Sequence, residues 1–334
     1  MPRVVAAAQP PSMCHLSERE KTMRILVGIV GAVTVLIAAC VAVETPTSTA
    51  HDHGQDSPRF TQQLNDPSRV DTGGGRLPDL IVDAKATQNS WRVKEELLDG
   101  TLCSVEEGNV TPGTRRLVRF TVSTPNIGDA DVFVGSPLKH MDPNGDGDFS
   151  DQDGMFEFAK CHNHFHFKHY ATYRLIDATT GLEWRAAKRG FCMLDTDPAN
   201  TNTGDGKRNY LSCGTKDIDG FQGISHGWAD SYVWQLAGQY FVLDGGDGQP
   251  VVPPGTYYIE VHVNPPYPPD ANGRCPLAKD VTRNECHQFA EKNYSNNVGR
   301  ALISIPDHLG RDGYGPLKGA ADPTAADEMR KPWN

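Results

Sequence analysis

Four histidines and a cysteine fall within nine residues of the chain, in the run CHNHFHFKH from 161 to 169. If this run is a β-strand, His162, His164 and His166 point to one face, because successive side chains alternate between faces. Three imidazoles on one face are typical of a zinc or copper site. The outer pair would be about 13 Å apart on an ideal strand, whereas metal–imidazole bonds are about 2.0–2.1 Å long. The strand must therefore bend, and a disulfide at Cys161 would hold the bend.

A second segment, DPNGDGDFSDQD from 142 to 153, carries oxygen ligands at alternate positions. It matches the D-x-[DN]-x-[DN]-G pattern of calcium loops, in which glycine allows the sharp turn and a carboxylate occupies the twelfth position. The twelfth residue is an aspartate here instead of the usual glutamate. The pattern predicts a structural calcium site without flanking EF-hand helices, and an acidic turn without an ion is the alternative. The predicted ligands are Asp142, Asn144, Asp146, Asp148 and Asp153.

The elements that must position these residues are short strands joined by turns. The chain has 33 Gly, 24 Pro and 8% aromatic residues, which favours many turns over a helical bundle. Several segments alternate polar and apolar residues with the period of a strand and are bounded by turn residues. We expect a mostly β fold, a β-sandwich or barrel-like single domain with long loops, disulfides and little helix. The segments are 115–124, 131–135, 169–177, 232–243 and 255–265.

The N-terminal region predicts export from the cytoplasm. Residues 25–43 are apolar and uncharged, and they follow Lys21 and Arg24, as in an export signal. The sequence IAAC, which ends at Cys40, resembles a bacterial lipoprotein box, so we expect lipid on Cys40. An uncleaved membrane anchor is the alternative, because about 20 apolar residues can span a bilayer. Met23 lies where such a signal normally begins and is the alternative start of the protein.

These features predict four parts: an export signal at 1–40, a disordered tether at 41–75, an ordered domain at 76–310 and a flexible tail at 311–334. The full chain has a formal net charge of −10. Cleavage before Cys40 would leave 28 basic and 40 acidic residues, a formal charge of −12. Such a surface repels phosphate backbones and attracts cationic partners, so nucleic acid is not an expected ligand. We expect a lipoprotein on the outer face of the cytoplasmic membrane, or a secreted protein.

The chain has 8 cysteines, and cysteines of an exported protein are usually oxidised. Cys40 is assigned to lipid, and Cys14 precedes the alternative start. Six cysteines allow fifteen pairings, and the spacing alone does not choose among them. The six are Cys103, Cys161, Cys192, Cys213, Cys275 and Cys286.

The run FEFAKCHNHFH at 156–166 resembles the copper-binding stretch of the lysyl oxidase family, whose pattern is aromatic-Glu-aromatic-x-x-Cys-His-x-His-x-His. The histidine run is the specific part of this resemblance, and further short pieces follow in the family's order between residues 77 and 305. These pieces are LPDL at 77–80, RRLVRF at 115–120, KRGFCMLD at 188–195, QGIS at 222–225, DSY at 230–232, PGTYYIEVHVNP at 254–265 and YSNN at 294–297.

The resemblance implies that the domain is catalytic, with Cu(II) on the three alternating histidines. Lys188 and Tyr232 match the two residues that become the lysine tyrosylquinone cofactor. Asp230 matches a family acid and would remove a proton from the substrate carbon. The implied enzyme uses O2 to convert primary amines to aldehydes, with release of ammonia and hydrogen peroxide. Its partners would be a cationic, lysine-bearing protein or a small primary amine, and the membrane through the lipid anchor.

The resemblance also implies a disulfide between Cys161 and Cys213. The family's additional cysteines near Cys103 and Cys192 are missing here, and we pair these two with each other. The expected bonds are therefore Cys161–Cys213, Cys103–Cys192 and Cys275–Cys286.

Two other functions stay open. The first is a non-enzymatic copper- and calcium-binding module of the cell surface, in which Lys188 and Tyr232 never cross-link. The second is a zinc hydrolase that uses three histidines and a metal-bound water, although the chain lacks an accompanying acid motif such as HExxH. The histidines by themselves do not distinguish copper from zinc.

Overall fold

The computed structural model describes residues 74–199 and 207–311. The predicted export signal, the lipidation of Cys40, nearly all of the tether and nearly all of the tail lie outside these residues. Within them, none of the helices has the length and the apolar character needed to cross a membrane. The predicted domain boundaries at 76 and 310 stay predictions.

Strands dominate these described ranges, which contain only three short helices. The expectation of a mostly β fold with little helix and with disulfides is confirmed; the sheets do not close into a barrel, and their arrangement is compatible with a sandwich. The helices are α1 (Ala84–Ser90), α2 (Cys103–Glu106) and α3 (Pro137–Met141). The strands are β1 (Arg92–Leu98), β2 (Gly113–Arg119), β3 (Val122–Pro125), β4 (Val132–Gly135), β5 (Phe156–Ala159), β6 (His164–Phe167), β7 (Ala171–Asp177), β8 (Glu183–Arg185), β9 (Asp197–Pro198), β10 (Gln222–Ile224), β11 (Trp228–Tyr232), β12 (Tyr240–Val242), β13 (Gly255–Val263), β14 (Ala278–Asp280), β15 (Glu285–His287) and β16 (Val298–Ile305).

The largest sheet has the order β16-β13-β7-β8, and its neighbouring strands are antiparallel. Strand β16 alternates exposed and buried residues, with Ala301, Ile303 and Ile305 facing the core. This is the period-2 pattern of a strand with one solvated face. Two three-stranded sheets, β1-β2-β12 and β3-β11-β9, and the pairs β4–β10, β5–β6 and β14–β15 complete the fold.

An aromatic cluster at the centre of the core surrounds Phe191. The ring of Phe191 lies 5.3 Å from the rings of Tyr170 and Tyr232 and 5.5 Å from that of Tyr173, edge to face in each case. Such pairs add about 0.5–1.5 kcal/mol each beyond the burial of their area. The cluster therefore fixes the position of Tyr232, at the end of β11.

The three disulfides differ from the expected pairing at two bonds. The structure joins Cys103 to Cys161 and Cys192 to Cys213, so the predicted bonds Cys161–Cys213 and Cys103–Cys192 are wrong. The physical reason is burial: Cys192 and Cys213 lie together in a fully buried cluster, whereas Cys161 lies on a half-exposed turn that faces the start of α2. The third bond joins the expected partners, Cys275 and Cys286.

Candidate metal and catalytic site

The three histidines lie on a hairpin rather than on one bent strand. Strands β5 and β6 pair in antiparallel register, with Ala159 opposite His164. The chain reverses between them at Asn163, whose φ of +51° lies in the left-handed region that asparagine tolerates. His162 is therefore a turn residue, and His164 and His166 are on β6. The sequence predicted a bent strand; the chain instead reverses its direction completely between β5 and β6.

The hairpin brings the three imidazoles together. One ring nitrogen of each histidine lies within 4.8 Å of those of the other two. The ring centroids are 4.9–5.3 Å apart. A shared ion with bonds of about 2.0–2.1 Å requires a further contraction of about an ångström. The cluster is therefore within about an ångström of the geometry of a three-nitrogen metal site.

Neighbouring groups orient the imidazoles. The Nδ1 atom of His164 lies 2.9 Å from the carbonyl oxygen of His162, and because a carbonyl only accepts, Nδ1 carries the proton. Its Nε2 atom is thus the one available for a metal. The Glu107 carboxylate lies 3.5 Å from Nε2 of His162, and the Glu157 carboxylate lies 3.9 Å from Nδ1 of His166.

A glycine allows another segment to approach the histidines closely. A Cβ atom added at Gly190 would lie 2.1 Å from Nδ1 of His166, which is far inside any real contact distance. The next residue is also bonded to β6, because Phe167 N donates to the Phe191 carbonyl at 2.7 Å. The segment 188–192 therefore runs directly along β6, which carries His164 and His166.

The same segment brings Lys188 to Tyr232. The Nζ atom of Lys188 lies 5.1 Å from the centre of the Tyr232 ring and 5.5 Å from that of Phe191. The lysine is half-buried, whereas Tyr232 is only 1% exposed. An ammonium over the face of an aromatic ring is a cation–π contact. The two residues that the sequence resemblance pairs are thus neighbours in space.

The hydroxyl of Tyr232 is held by the backbone of Cys192. It donates to the Cys192 carbonyl at 2.8 Å and accepts from the Cys192 amide at 2.9 Å. Burial raises the pKa of Tyr232 well above its ordinary value, and the charge of Asp230 raises it further. The ring is therefore fixed in place with its phenol protonated.

Asp230 lies on β11 two residues before Tyr232, so both side chains project from the same face of the strand. It is fully buried. After burial itself, the charge of Asp230 is the next cause of the raised pKa values of Tyr170, Tyr173 and Tyr232. Its carboxylate therefore lies among three tyrosines and next to the candidate cofactor residue.

The acidic loop at 142–153 is arranged differently. Asp142 accepts hydrogen bonds from the backbone amides of Gly145, Asp146 and Gly147 at 2.8–3.0 Å. Asp153, the predicted twelfth ligand, lies 2.5 Å from Nδ1 of His140. Among the described residues, the loop is not one of the groups in which three His, Cys, Asp or Glu side chains bring their ligand atoms within 4.8 Å. The calcium site stays a prediction that this geometry does not support.

Two features were missed by reasoning from the sequence. Glu107 reaches His162 because the Cys103–Cys161 bond brings α2 to the hairpin turn, and no local signal predicts that contact. A second cluster of potential ligands, Asp280, Glu285 and His287, meets on the β14–β15 hairpin. In the sequence, only the closeness of these three residues to one another after Cys275 could have indicated this cluster.

Comparisons with known proteins agree with the sequence resemblance. The family model described as Lysyl oxidase matches residues 78–269. Human lysyl oxidase homolog 1 is 28% identical over 236 residues, which cover 67% of this chain and 36% of that protein. Rat protein-lysine 6-oxidase is 27% identical over 246 residues, which cover 70% of this chain and 47% of that protein. The chain thus spans less than half of the length of these relatives.

Proposed function

The chain belongs to the lysyl oxidase family, and on that basis we propose that it is a copper-dependent amine oxidase. It would convert primary amines, peptidyl lysine among them, to aldehydes with release of ammonia and hydrogen peroxide. The observation that carries the proposal is the distance of 5.1 Å between Nζ of Lys188 and the centre of the Tyr232 ring. The half-buried lysine and the core tyrosine meet where the segment 188–192 runs along the histidine-bearing strand β6.

The histidine cluster fits Cu(II). It offers three imidazole nitrogens within 4.8 Å of one another, two of them on buried rings, and imidazole is a good ligand for copper. Zinc accepts the same ligands but has no redox chemistry, so the lysine and tyrosine beside the cluster favour copper. With O2, bound copper would supply the oxidising power that converts the Tyr232 ring to a quinone joined to Lys188, which would then accept electrons from the amine.

The contacts of Lys188 and Tyr232 support a moving lysine and a fixed tyrosine. Two hydrogen bonds join the Tyr232 hydroxyl to the backbone of Cys192, which keeps the ring still. Lys188 lies over the face of the ring, and an amine adds to a ring carbon of a quinone from that face. A shift of the lysine side chain towards a ring carbon would therefore bring the two atoms together, and the tyrosine would not need to move.

Asp230 is the proposed base for the substrate. A buried carboxylate beside the cofactor residue would be able to accept a proton from the carbon next to the substrate nitrogen, away from competing water. The formal net charge of −10 would attract cationic substrates, either a lysine-bearing protein or a small primary amine. Lipid anchoring at Cys40 outside the cytoplasmic membrane belongs to the same proposal.

The test is peptide mass analysis of protein that has been loaded with copper and exposed to air. We expect a cross-linked peptide pair that contains Lys188 and Tyr232, quinone absorbance, and peroxide release from amines. Lys188→Ala should remove all three signals and leave the copper content unchanged. Lys85→Ala, which alters an exposed lysine on α1, is the matched control and should behave as the wild type.

The result that contradicts the proposal is also clear. If fully copper-loaded, aerated protein yields only separate Lys188 and Tyr232 peptides, the quinone does not form. The protein would then be a copper-binding module without oxidase activity.

A further inference from the structure

The β14–β15 hairpin carries three potential metal ligands on one face. Asp280 is directly opposite Glu285 in the register, and His287 lies two residues beyond Glu285 on β15. Directly paired residues and residues two apart project to the same side of a sheet. One ligand atom of each of the three side chains lies within 4.8 Å of those of the other two. The hairpin lies beyond residue 269, where the match to the family model ends.

The imidazole of His287 is built into this site. The residue is only 1% exposed. Its Nδ1 atom donates to the Asn264 carbonyl at 2.8 Å, which leaves the lone pair on Nε2. The ring of Tyr294 stacks on it at 3.9 Å and fixes its plane. The buried Nε2 atom has no hydrogen-bond partner among the described residues. A buried acceptor that lacks a hydrogen bond costs free energy.

The two carboxylates complete a recognisable ligand set. The backbone amide of Thr282 donates to Oδ1 of Asp280 at 2.8 Å, and this bond holds the aspartate in the turn. Glu285 is half-buried and has three rotatable side-chain bonds, so it is able to move towards an ion. The Cys275–Cys286 disulfide fixes the strand between Glu285 and His287. The hairpin is thus closed without an ion.

We propose that Asp280, Glu285 and His287 form a second metal site, which binds a divalent transition-metal ion of the zinc type. One imidazole nitrogen and two carboxylate oxygens are ligands that zinc accepts, and a water would complete the tetrahedron. Calcium and magnesium prefer oxygen ligands alone, so the imidazole argues against them. Ligand atoms in a tetrahedral zinc site are about 3.4 Å apart, so a small inward movement of Glu285 forms the site. The bound ion would join the two strands of the hairpin, which His287 already links to the carbonyl of Asn264, the residue after β13.

The test counts zinc ions in protein whose histidine cluster already holds copper. After equilibration with buffered zinc and gel filtration, elemental analysis should find one zinc per chain in the wild type. Asp280→Asn/Glu285→Gln, which keeps the side-chain shapes, should lose that ion and weaken zinc binding at least 100-fold. Asp307→Asn/His308→Ala alters an exposed His–Asp pair outside the cluster and is the matched control. Copper content reports that each variant is folded.

A reciprocal variant separates this inference from the proposed oxidase. His162→Ala/His164→Ala/His166→Ala should lose copper and retain the one zinc with unchanged affinity. Equal zinc content in the wild type and in Asp280→Asn/Glu285→Gln would overturn the proposal. Calcium binding without zinc binding at these residues would overturn it as well. Neither outcome bears on the cross-link between Lys188 and Tyr232.

Discussion

The histidine run and the acidic loop are consecutive segments of the chain, and each places potential ligands at alternate positions. Their structures differ. The histidine nitrogens meet within 4.8 Å of one another, whereas Asp142 of the acidic loop accepts hydrogen bonds from three backbone amides of its own turn. Alternate spacing is therefore not enough to predict an assembled metal site.

The difference lies in what surrounds each segment. The histidine hairpin is held by other parts of the chain, through the Cys103–Cys161 bond on one side and Gly190 on the other. The acidic loop is stabilised mainly by its own Asx turns, which satisfy the carboxylates locally. An aspartate oxygen that accepts one amide keeps a lone pair, so these bonds do not exclude an ion. In the histidine hairpin, distant contacts hold the potential ligands close before an ion arrives.

Among these variants, Gly190→Ala should have the largest effect on the histidine hairpin. The new methyl group would lie 2.1 Å from Nδ1 of His166, so the ring must leave its position. We expect copper affinity to fall by about 10–100-fold, as for other changes that misorient metal ligands, and amine oxidation to fall with it. Metal titration with a competing chelator measures the loss.

Gly100→Ala is its matched control, because nothing lies within 4 Å of a Cβ at that position and its φ is not positive. It should bind copper as the wild type does. Circular dichroism should show the same fold for both variants. Normal copper binding by folded Gly190→Ala would mean that the approach of this segment does not position the ligand.

Removing the Cys103–Cys161 bond should have the next largest effect. Cys103→Ser/Cys161→Ser opens a link between residues 58 apart in sequence. In the chain-entropy description, we expect the free energy of unfolding to fall by about 2–4 kcal/mol. Copper affinity should also fall, because the turn that carries His162 loses its attachment to α2. Denaturant titration and copper titration measure the two effects.

The Cys275–Cys286 bond, which lies outside the histidine hairpin, is the control for this variant. It spans only 11 residues, so Cys275→Ser/Cys286→Ser should cost less stability and leave copper affinity unchanged. Equal loss of copper affinity in the two variants would show that global loosening, not the support of the turn, is responsible.

The smallest expected effect is in the acidic loop. Asp142→Ala removes three hydrogen bonds to exposed backbone amides, and we expect a loss of about 1 kcal/mol in the free energy of unfolding. Calorimetric titration should find calcium binding no tighter than about 10⁻⁴ M in the wild type. Micromolar calcium binding by the wild type, lost in Asp142→Ala, would support the predicted calcium site. The acidic loop and the histidine hairpin would then both be metal sites.

The sequence predicted several strands because their alternation is local. The segments 131–135, 169–177 and 255–265 correspond to β4, β7 and β13. The segment 232–243 was predicted as one strand, but it contains only the end of β11 and all of β12. Between them the chain turns at Gly238, whose φ of +69° no strand adopts. The alternation of polar and apolar residues continues across this turn, so the sequence pattern did not indicate it.

The site was predictable only in part. The clustering of the histidines followed from their spacing, but the hairpin turn at Asn163 did not. Lys188 and Tyr232 came from the family resemblance alone, since a buried tyrosine and a half-buried lysine carry no local signal of each other. The disulfide partners depend on which cysteines the fold buries together, and spacing contains no information on that.

The three clustered histidines are not equally shielded from solvent. His164 and His166 are buried, whereas the His162 side chain is 17% exposed and lies on the turn. The His162 side of the cluster is therefore the side most accessible to an entering or leaving ion. We expect the rate of metal exchange, as distinct from affinity, to depend on opening of the four-residue connection 160–163, which the Cys103–Cys161 disulfide restrains. A zinc ion acquired during folding would be replaced by copper slowly, even where copper binds far more tightly.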